Sequence, residues 1–378
     1  MDDFFPHDDG LDALNRGLTL SEKLKAIHGV LRARHAFVDR IAVAVYDAKT
    51  DTLKTFIDSS GDDKPLVRYE AKLADTGSLR QILAKGRPRV INDLTRLEPG
   101  QQEHSRRILQ QGYASSYTMP MHVNGAFLGF LFFDSYRKEA FQSALLNDFD
   151  LFGHLITQVV VGSLMAFRAM LATVKATRDI TAYRDLETGE HLDRMAHYAR
   201  LIARRIAPQH GLDDEYIEHI FLFSPLHDIG KIGVSDVILR KAGSLSTEEF
   251  EQMKRHTTMG RRIVDTMLRD FGLEVGRHID MMRHIAELHH EAVGGGGYPK
   301  GLIGDAIPIE ARIVAVADMF DALTSVRPYK EAWTNGQAFE LLRELSGKTL
   351  EGECVEALFE QQEEIERIQA RFRDEDAG

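Results

Sequence analysis

The histidines of this chain are concentrated in one stretch, and that stretch has helical sequence patterns. Ten of the 16 histidines fall between His191 and His290 in a chain of 378 residues. Imidazole nitrogens bind transition metals, and a carboxylate beside them supplies oxygens that can bridge two cations. The pairs His227-Asp228 and His289-His290 therefore predict a metal site built on helices in the C-terminal half.

The first part of the chain has short runs of strand-forming residues separated by turns. The predicted strands cover residues 41–46, 53–57, 116–123 and 126–133. Asn124-Gly125 predicts a hairpin turn, and Pro120 predicts that its strand is an edge strand or contains a bulge. Together with helical patterns around the strands, this predicts an α+β domain.

Composition limits the classes of partner. With 47 Lys+Arg against 58 Asp+Glu, the net charge of -11 excludes the basic surface that long nucleic acid or an anionic membrane requires, but not a small anionic ligand. The single cysteine, Cys354, excludes an internal disulfide and favours a reducing compartment. The acidic N-terminus is not a secretory signal, and the most apolar run, residues 155–167, is shorter than the roughly 18 residues of a spanning helix. We therefore expect a cytoplasmic protein without a membrane segment.

A long helix from about Leu151 to Tyr183 is expected to join the two halves. Its apolar positions alternate four and three apart, as in a coiled-coil seam, and they are Val160, Leu164, Phe167, Leu171 and Val174. The seam covers only about two heptads, so two interpretations stay open: a dimer interface, and a helix lying on its own domain.

Each potential ligand has an alternative interpretation when it is taken alone. Glu187 and His191 are four residues apart on one helical face, which is also the pattern of a solvated face. His227-Asp228 ends an apolar helix that begins near Asp213, is kinked by Pro225 just before the pair, and carries the pair into the interior. There a metal would satisfy the carboxylate, and the alternative is a core histidine with a capping aspartate. His256 alone fits an exposed position on a helix that Ser246 and Glu249 open with capping-box spacing.

Further charged residues follow the same helical region. Adjacent residues on a helix point about 100° apart, so one cation would rarely bind both His289 and His290 unless the helix frays there, whereas two cations in one pocket could. Asp318 and Asp321 lie three apart on an otherwise apolar helix that Pro308 can start, and such carboxylates are rarely buried without cations. The run Arg327-Pro328-Tyr329-Lys330 places two cations where a phosphate can be held, and its alternative is a solvated loop.

These motifs have the order found in a known superfamily. His191, His227-Asp228 and Asp318 resemble the ligand pattern of the HD superfamily of metal-dependent phosphohydrolases. Other motifs are similar to the HD-GYP subfamily, whose members hydrolyse cyclic di-GMP, and they are His256, His289-His290-Glu291, Gly297-Tyr298-Pro299 and Arg327-Pro328-Tyr329-Lys330. The resemblance covers about residues 181–333, including the phrase from Ile309 to Asp318. The N-terminal part, about residues 18–162, is similar to GAF sensor domains.

The resemblance implies a role for each matching residue. The implied metal ligands are His191, His227, Asp228, His256, His289, His290 and Asp318, with Asp228 bridging, and Glu187 where a third metal is present. The implied substrate-binding residues are Lys231, Tyr298, Arg327 and Lys330, which face the phosphates, and Asp321, which supports the pocket. Fe or Mn suits these ligands, in two or three divalent ions. The family commonly has Asp or Asn where this chain has Gly294, which leaves the substrate preference open.

The predicted architecture is multidomain. An N-terminal tail (1–17) precedes an α+β GAF-like domain with an antiparallel sheet (18–162), and a helical linker (163–180) leads to an all-α HD-type bundle (181–373). The GAF-like domain is expected to regulate the chain and to form a homodimer together with the linker helix. A small ligand of this domain and an unliganded dimerisation role are both open.

The predicted reaction is hydrolysis of cyclic di-GMP to pGpG, and to GMP after a second cut. A hydroxide bridging two metals is expected to attack the phosphorus, with Asp228, His227 and Lys231 as the catalytic residues. Two other hypotheses remain: a cyclic-dinucleotide-binding module with weak or no turnover, and another HD-superfamily phosphohydrolase or oxygenase.

Overall fold

The computed structural model describes residues 9–60, 68–96, 103–180, 189–241, 243–273, 278–326 and 331–373. The chain divides into two compact units, Met1–Met165 and Ala166–Gly378, which we call the N-terminal and C-terminal units.

Within its described residues, the N-terminal unit is built around a six-stranded antiparallel sheet. The strands are β1 Arg40–Asp47, β2 Thr52–Ser60, β3 Glu70–Lys72, β4 Arg89–Ile91, β5 Ser115–Val123 and β6 Ala126–Ser135. Their order across the sheet is β3-β2-β1-β6-β5-β4. The accompanying helices are α1 Leu20–Arg34, α2 Gly77–Lys85, α3 Glu103–Gln110 and the first part of α4 Leu146–Ile180. The predicted α+β class is confirmed.

The hairpin between β5 and β6 forms where its turn residues predicted it. Asn124 and Gly125 have φ angles of 49° and 82°, the left-handed values that a tight hairpin turn requires. β4 pairs with β5 only at residues 116–118, so β5 is an edge strand at Pro120, and the pairing with β6 shifts register after Met121. The lack of an N–H on Pro120 is tolerated there.

α4 is the predicted long helix, and its apolar stripe is buried by residues of the same chain. Buried positions recur every three or four residues, at Phe149, Phe152, Ile156, Val160 and Leu164. Of the predicted seam, Val160 and Leu164 thus belong to this buried stripe, and Phe167 and Leu171 pack against the core of the C-terminal unit. The side chain of Val174 lies outside the described residues. This packing favours a helix that lies on its own chain over a dimer seam.

One helical stretch has the length and composition of a membrane span. Ser143–Thr173 contains a window with a mean hydropathy of 1.7, of which 28% is buried. This corrects the expectation that the apolar run is too short, because the helix continues on both sides of residues 155–167. A single helix of this kind is weak evidence for a membrane, since core helices of water-soluble proteins meet the same criteria.

The described part of the C-terminal unit is helical. After α4 it contains α5 Gly189–His210, α6 Asp214–Phe223, α7 Asp236–Leu239, α8 Thr247–Asp270, α9 Ile279–Leu288, α10 Ile309–Thr324, α11 Asn335–Leu345, α12 Gly352–Phe359 and α13 Gln362–Arg371. The core residues of α5 have the helical period of three and four, and they are Met195, Ala199, Ile202 and Ile206. They pack α5 against α6, α10 and α12.

Capping residues fix the starts of the helices that lead to the histidines. Asp213 accepts a hydrogen bond from Tyr216 N at 2.8 Å and starts α6. Ser246 and Glu249 form the predicted capping box of α8, and Pro308 caps α10. α6 ends at Phe223, and the short 3-10 turn Ser224–Leu226, which contains Pro225, connects it to His227-Asp228.

Candidate metal centre

The seven predicted ligands that lie in the described residues form two groups. The Asp228 group contains Asp228, His256, His289 and His290, and the His191 group contains His191, His227 and Asp318. In each group the ligand atoms lie within 4.8 Å of one another. Residues from α5, the turn after α6, α8, the end of α9 and α10 therefore meet in one place.

Asp228 faces both groups. Its Oδ2 is 3.2 Å from His227 Nε2, and its Oδ1 is 3.2 Å from His256 Nε2 and 3.7 Å from His289 Nε2. Oδ1 is buried and accepts no hydrogen bond from the described part of the chain. A cation would satisfy this oxygen, so the residues present fit a pair of metal ions that share one carboxylate.

The histidine rings are oriented through their Nδ1 atoms. The acceptors are Ser224 O for His227 at 2.9 Å, Met253 O for His256 at 2.8 Å, Ile285 O for His289 at 2.8 Å, and Asp321 Oδ2 for His191 at 2.7 Å. A ring that donates from Nδ1 presents the lone pair of Nε2 to a metal. In these four histidines Nε2 is therefore the atom that would coordinate a metal.

Asp321 lies behind His191 and is fully buried. Besides the His191 contact, Arg194 donates from Nε to Oδ1 at 2.7 Å and from Nη2 to Oδ2 at 3.1 Å, and the Ser325 hydroxyl donates to Oδ2 at 2.8 Å. This corrects the expectation that Asp321 belongs to the substrate-binding residues, because its oxygens are occupied and shielded from any ligand. Asp321 orients His191, and Arg194 holds Asp321.

Gly230 allows the turn that carries Asp228 to approach α8. A Cβ at this position would lie 1.8 Å from the carbonyl oxygen of His256 and 2.5 Å from Gly260 N. Any side chain there would push the turn Ile229–Gly233 away from α8. The glycine therefore sets the distance between Asp228 and His256.

His289 and His290 lie in the same ligand group because α9 ends before them. The helix stops at Leu288, and the two imidazole rings have centroids 4.1 Å apart. The divergence of about 100° applies within a continuing helix. His289 and His290 can therefore lie beside the same cation, and the number of cations that the two rings serve stays a prediction.

Charge and burial set the protonation states of the aspartate and of the histidines in these groups. Burial works to raise the pKa of Asp228, but the Lys231 ammonium, 2.7 Å from Oδ2, and His227 outweigh it and hold the pKa well below its usual value. Burial lowers the pKa of His256, lowers that of His290 to about 4, and holds that of His289 well below its usual value. At neutral pH these groups are a carboxylate and neutral imidazoles, the forms that bind metals.

Tyr298 borders the Asp228 group. Its ring centroid is 4.8 Å from that of His290, and the Lys254 ammonium lies 5.4 Å from the ring centroid. Lys231 and Tyr298 therefore lie beside the Asp228 group, and their roles toward the substrate phosphates stay a prediction. Glu187, Arg327 and Lys330 lie outside the described residues.

The glycine-rich segment beside Tyr298 is held by contacts that the sequence did not indicate. Both oxygens of the buried Glu291 accept main-chain hydrogen bonds, from Lys300 N at 2.6 Å and Leu302 N at 2.8 Å. A Cβ at Gly294 would lie 2.6 Å from the carbonyl oxygen of Lys348. An Asp or Asn at this position would displace that carbonyl. The contact therefore gives a packing reason for a glycine at a position where the HD-GYP pattern commonly has Asp or Asn.

Lowering the pH from about 7.5 to about 5.5 is expected to destabilise the metal-free protein. The pKa values of His289 and His290 are lowered by burial, whereas an unfolded histidine titrates near 6.5. The unfolded state binds more protons below that value, so the free energy of unfolding falls by about 1.4 kcal/mol per histidine over this range. Urea unfolding with a chelator at both pH values measures the effect. An unchanged pH dependence in His290→Gln would contradict this assignment.

Comparison with known proteins gives matches to both units. A GAF domain model matches residues 20–160, and an HD domain model matches residues 184–353. The cyclic di-GMP phosphodiesterase response regulator RpfG of Xanthomonas campestris is 43% identical over 190 residues, covering 50% of this chain and 47% of that protein. A cyclic di-GMP phosphodiesterase of Thermotoga maritima is 43% identical over 199 residues, covering 53% and 51%.

A third relative is named for a different cyclic dinucleotide. The 3'3'-cGAMP-specific phosphodiesterase 2 of Vibrio cholerae is 39% identical over 191 residues, covering 50% of this chain and 34% of that protein. The chain spans about half the length of the first two relatives and a third of this one.

Proposed function

We propose that this chain, which carries a GAF domain followed by an HD domain of the HD-GYP type, is a metal-dependent phosphodiesterase that hydrolyses cyclic di-GMP. The observation that carries the proposal is the position of Asp228, with one oxygen toward His227 and the other toward His256. A shared carboxylate between two histidine-rich groups is the arrangement of a two-metal hydrolase. The two relatives named for cyclic di-GMP support the substrate.

The proposed cofactors are two divalent ions, one in each ligand group, and a third where Glu187 contributes. Nitrogen and carboxylate ligands without thiolate favour Fe or Mn. When bound, such ions activate water at neutral pH and polarise a phosphoryl oxygen. The ligands themselves set the positions of both charges through the Nδ1 hydrogen bonds described above.

The remaining proposed roles concern the substrate phosphates. Lys231, whose ammonium touches Asp228, is placed to neutralise charge on a phosphoryl oxygen beside the centre. Tyr298 offers a ring and a hydroxyl at the border of the Asp228 group. Arg327 and Lys330 are proposed from the family resemblance to hold the distal phosphate.

One experiment tests both which cyclic dinucleotide is hydrolysed and which product forms. Metal-replete protein, purified anaerobically, is incubated with cyclic di-GMP or with 3'3'-cGAMP, and the products are separated by chromatography. We expect linear pGpG from cyclic di-GMP, followed by GMP if the second bond is cut. Faster turnover of 3'3'-cGAMP would make that dinucleotide the preferred substrate. It would also connect the preference to Gly294, where the HD-GYP pattern commonly has Asp or Asn. Binding of cyclic di-GMP without turnover would indicate a binding module, and neither binding nor turnover would indicate another HD chemistry.

The proposed domain boundaries are those drawn from the sequence, with the GAF domain at 18–162, the linker at 163–180 and the HD domain at 181–373. We also propose that the GAF domain regulates hydrolysis in a cytoplasmic homodimer, with or without a small ligand. The buried free thiol of Cys354 supports a reducing compartment.

Glu187→Ala is expected to lower the metal content by about one ion per chain and to reduce activity without abolishing it, because the described groups hold the other two ions. Elemental analysis against the wild type measures the loss. Glu190→Ala, three residues further on, is the matched control. Equal metal content in all three proteins would assign Glu187 to the solvated helix face.

Arg327→Ala is expected to raise KM and slow turnover by about tenfold or more while the metal content stays constant, since its proposed contact is to the substrate alone. Steady-state kinetics with elemental analysis separates the two effects. Arg262→Ala, on the exposed side of α8, is the control. A loss of metal in Arg327→Ala would place this arginine in the framework of the centre.

A further inference from the structure

A second cluster of metal-binding side chains lies in the C-terminal unit, outside the centre described above. It consists of Glu215 and His219 on α6 and His278, the residue that precedes α9. Their exposed fractions are 4%, 5% and 6%, and one ligand atom from each lies within 4.8 Å of the others. The proposed reaction uses none of these residues.

We propose that Glu215, His219 and His278 form a separate binding site for one divalent transition-metal ion. Glu215 and His219 are four residues apart, so their side chains project from the same face of α6 and can coordinate one cation. Metal–ligand bonds of about 2.0–2.2 Å place the donor atoms around a tetrahedral ion about 3.3–3.6 Å apart. The three ligand atoms, which lie within 4.8 Å of one another, are therefore close to the spacing that such an ion requires.

The surroundings of the cluster are aromatic. The His219 ring lies 4.6 Å from that of His278, stacks on Phe223 at 5.1 Å, and meets the edge of Phe167 at 5.5 Å. Tyr216 packs against His278 at 5.6 Å. An apolar enclosure of this kind strengthens the attraction between a cation and the Glu215 carboxylate.

The imidazole of His219 is in the form that binds metals. Burial, followed by the charge of His278, lowers the pKa of His219 to about 3. No proton therefore has to leave His219 when a metal binds at neutral pH. Two imidazoles and one carboxylate, without thiolate, suit Zn²⁺ or Fe²⁺ and leave one coordination position for water.

The position of the site gives the ion a structural role. α6 leads through one short turn to His227-Asp228, and α9 leads directly to His289-His290. The ten residues of α9 span about 15 Å, so the new site and the catalytic ligands lie at opposite ends of this helix. An ion there joins the start of α9 to α6 and so fixes the spacing of the two helices that supply both parts of the centre.

The first test compares metal content after chelation and reloading with Zn²⁺ alone. We expect Glu215→Gln and His219→Gln each to bind one Zn²⁺ fewer per chain than the wild type. His284→Gln is the matched control, because His284 lies on α9 and pairs with Glu310 at 2.7 Å outside the cluster. Equal stoichiometry in the four proteins, each shown to be folded by circular dichroism, would overturn the proposal.

A second test uses the unaltered chain and does not depend on whether a variant folds. Crystals of the wild type grown with Zn²⁺ are expected to show an anomalous difference peak between Glu215, His219 and His278. Peaks at the Asp228 and His191 groups without one at this cluster would overturn the proposal and leave the proposed function intact. A peak at the cluster alone would support this site and contradict the catalytic metal assignment.

Discussion

Asp228→Ala is expected to reduce the hydrolysis of cyclic di-GMP by about 1,000-fold or more, equivalent to about 4 kcal/mol in the barrier, and to release more than one metal ion per chain. The reason is that its two oxygens face different ligand groups, at 3.2 Å from His227 and 3.2 Å from His256. Removal of a shared ligand weakens both positions and leaves the Lys231 ammonium without its carboxylate partner. Single-turnover kinetics with elemental analysis measures both effects.

The matched control for Asp228 is Asp280→Ala. Asp280 is also an aspartate of the C-terminal unit paired with a cation, Arg283, but its side chain is 70% exposed. It should retain wild-type metal content and rate, because surface ion pairs contribute little. Full metal occupancy and a near-normal rate in Asp228→Ala would rule out the shared-carboxylate centre.

Asp321→Asn is expected to lower the free energy of unfolding by about 3 kcal/mol or more and to weaken the metal of the His191 group. The amide replaces the carboxylate that Arg194 contacts at 2.7 Å in this buried position, and removing the charge of one member of a buried ion pair is costly. The orientation of His191 is lost with it, since the Nδ1 acceptor changes from a carboxylate to a neutral amide. Urea unfolding and metal titration measure the two consequences.

Ser325→Ala tests whether the charge on Asp321 is responsible. It removes the hydroxyl that donates to the same carboxylate and accepts from Arg194 Nη2 at 2.8 Å, but it keeps the charge on Asp321, so it should cost only about 1–2 kcal/mol, with the metal retained. A substrate contact by Asp321 would instead raise KM in Asp321→Asn with stability and metal content unchanged. That result would restore the interpretation drawn from the sequence.

Local signals in the sequence were enough to predict several elements of the fold, including two helix starts that lead to the site. The strand pairs around Asn124-Gly125, the capping box of Ser246 and Glu249, and the start of α6 at Asp213 all depend on residues within a few positions of each other. The order of the histidines and aspartates, read through the family resemblance, also named every residue of the two described ligand groups.

Contacts between distant residues could not be predicted in the same way. Arg194 and Asp321 are separated by 127 residues, and nothing near either one indicates the other. The same is true of Gly294, whose contact with Lys348 depends on how two loops meet. Whether His289 and His290 can lie beside one cation also could not be predicted from the sequence, because it depends on where α9 ends, which the structure places at Leu288.

The Nδ1 hydrogen bonds have a consequence for how the centre accepts its ions. Three rings are tied to main-chain carbonyls three or four residues earlier, as His227 to Ser224, His256 to Met253 and His289 to Ile285. A mobile side chain loses about 0.5–1.5 kcal/mol of rotamer freedom when it is immobilised by a ligand, and these rings have lost it on folding. The centre is therefore preorganised, and one cation can replace another of similar size without rearrangement of the helices.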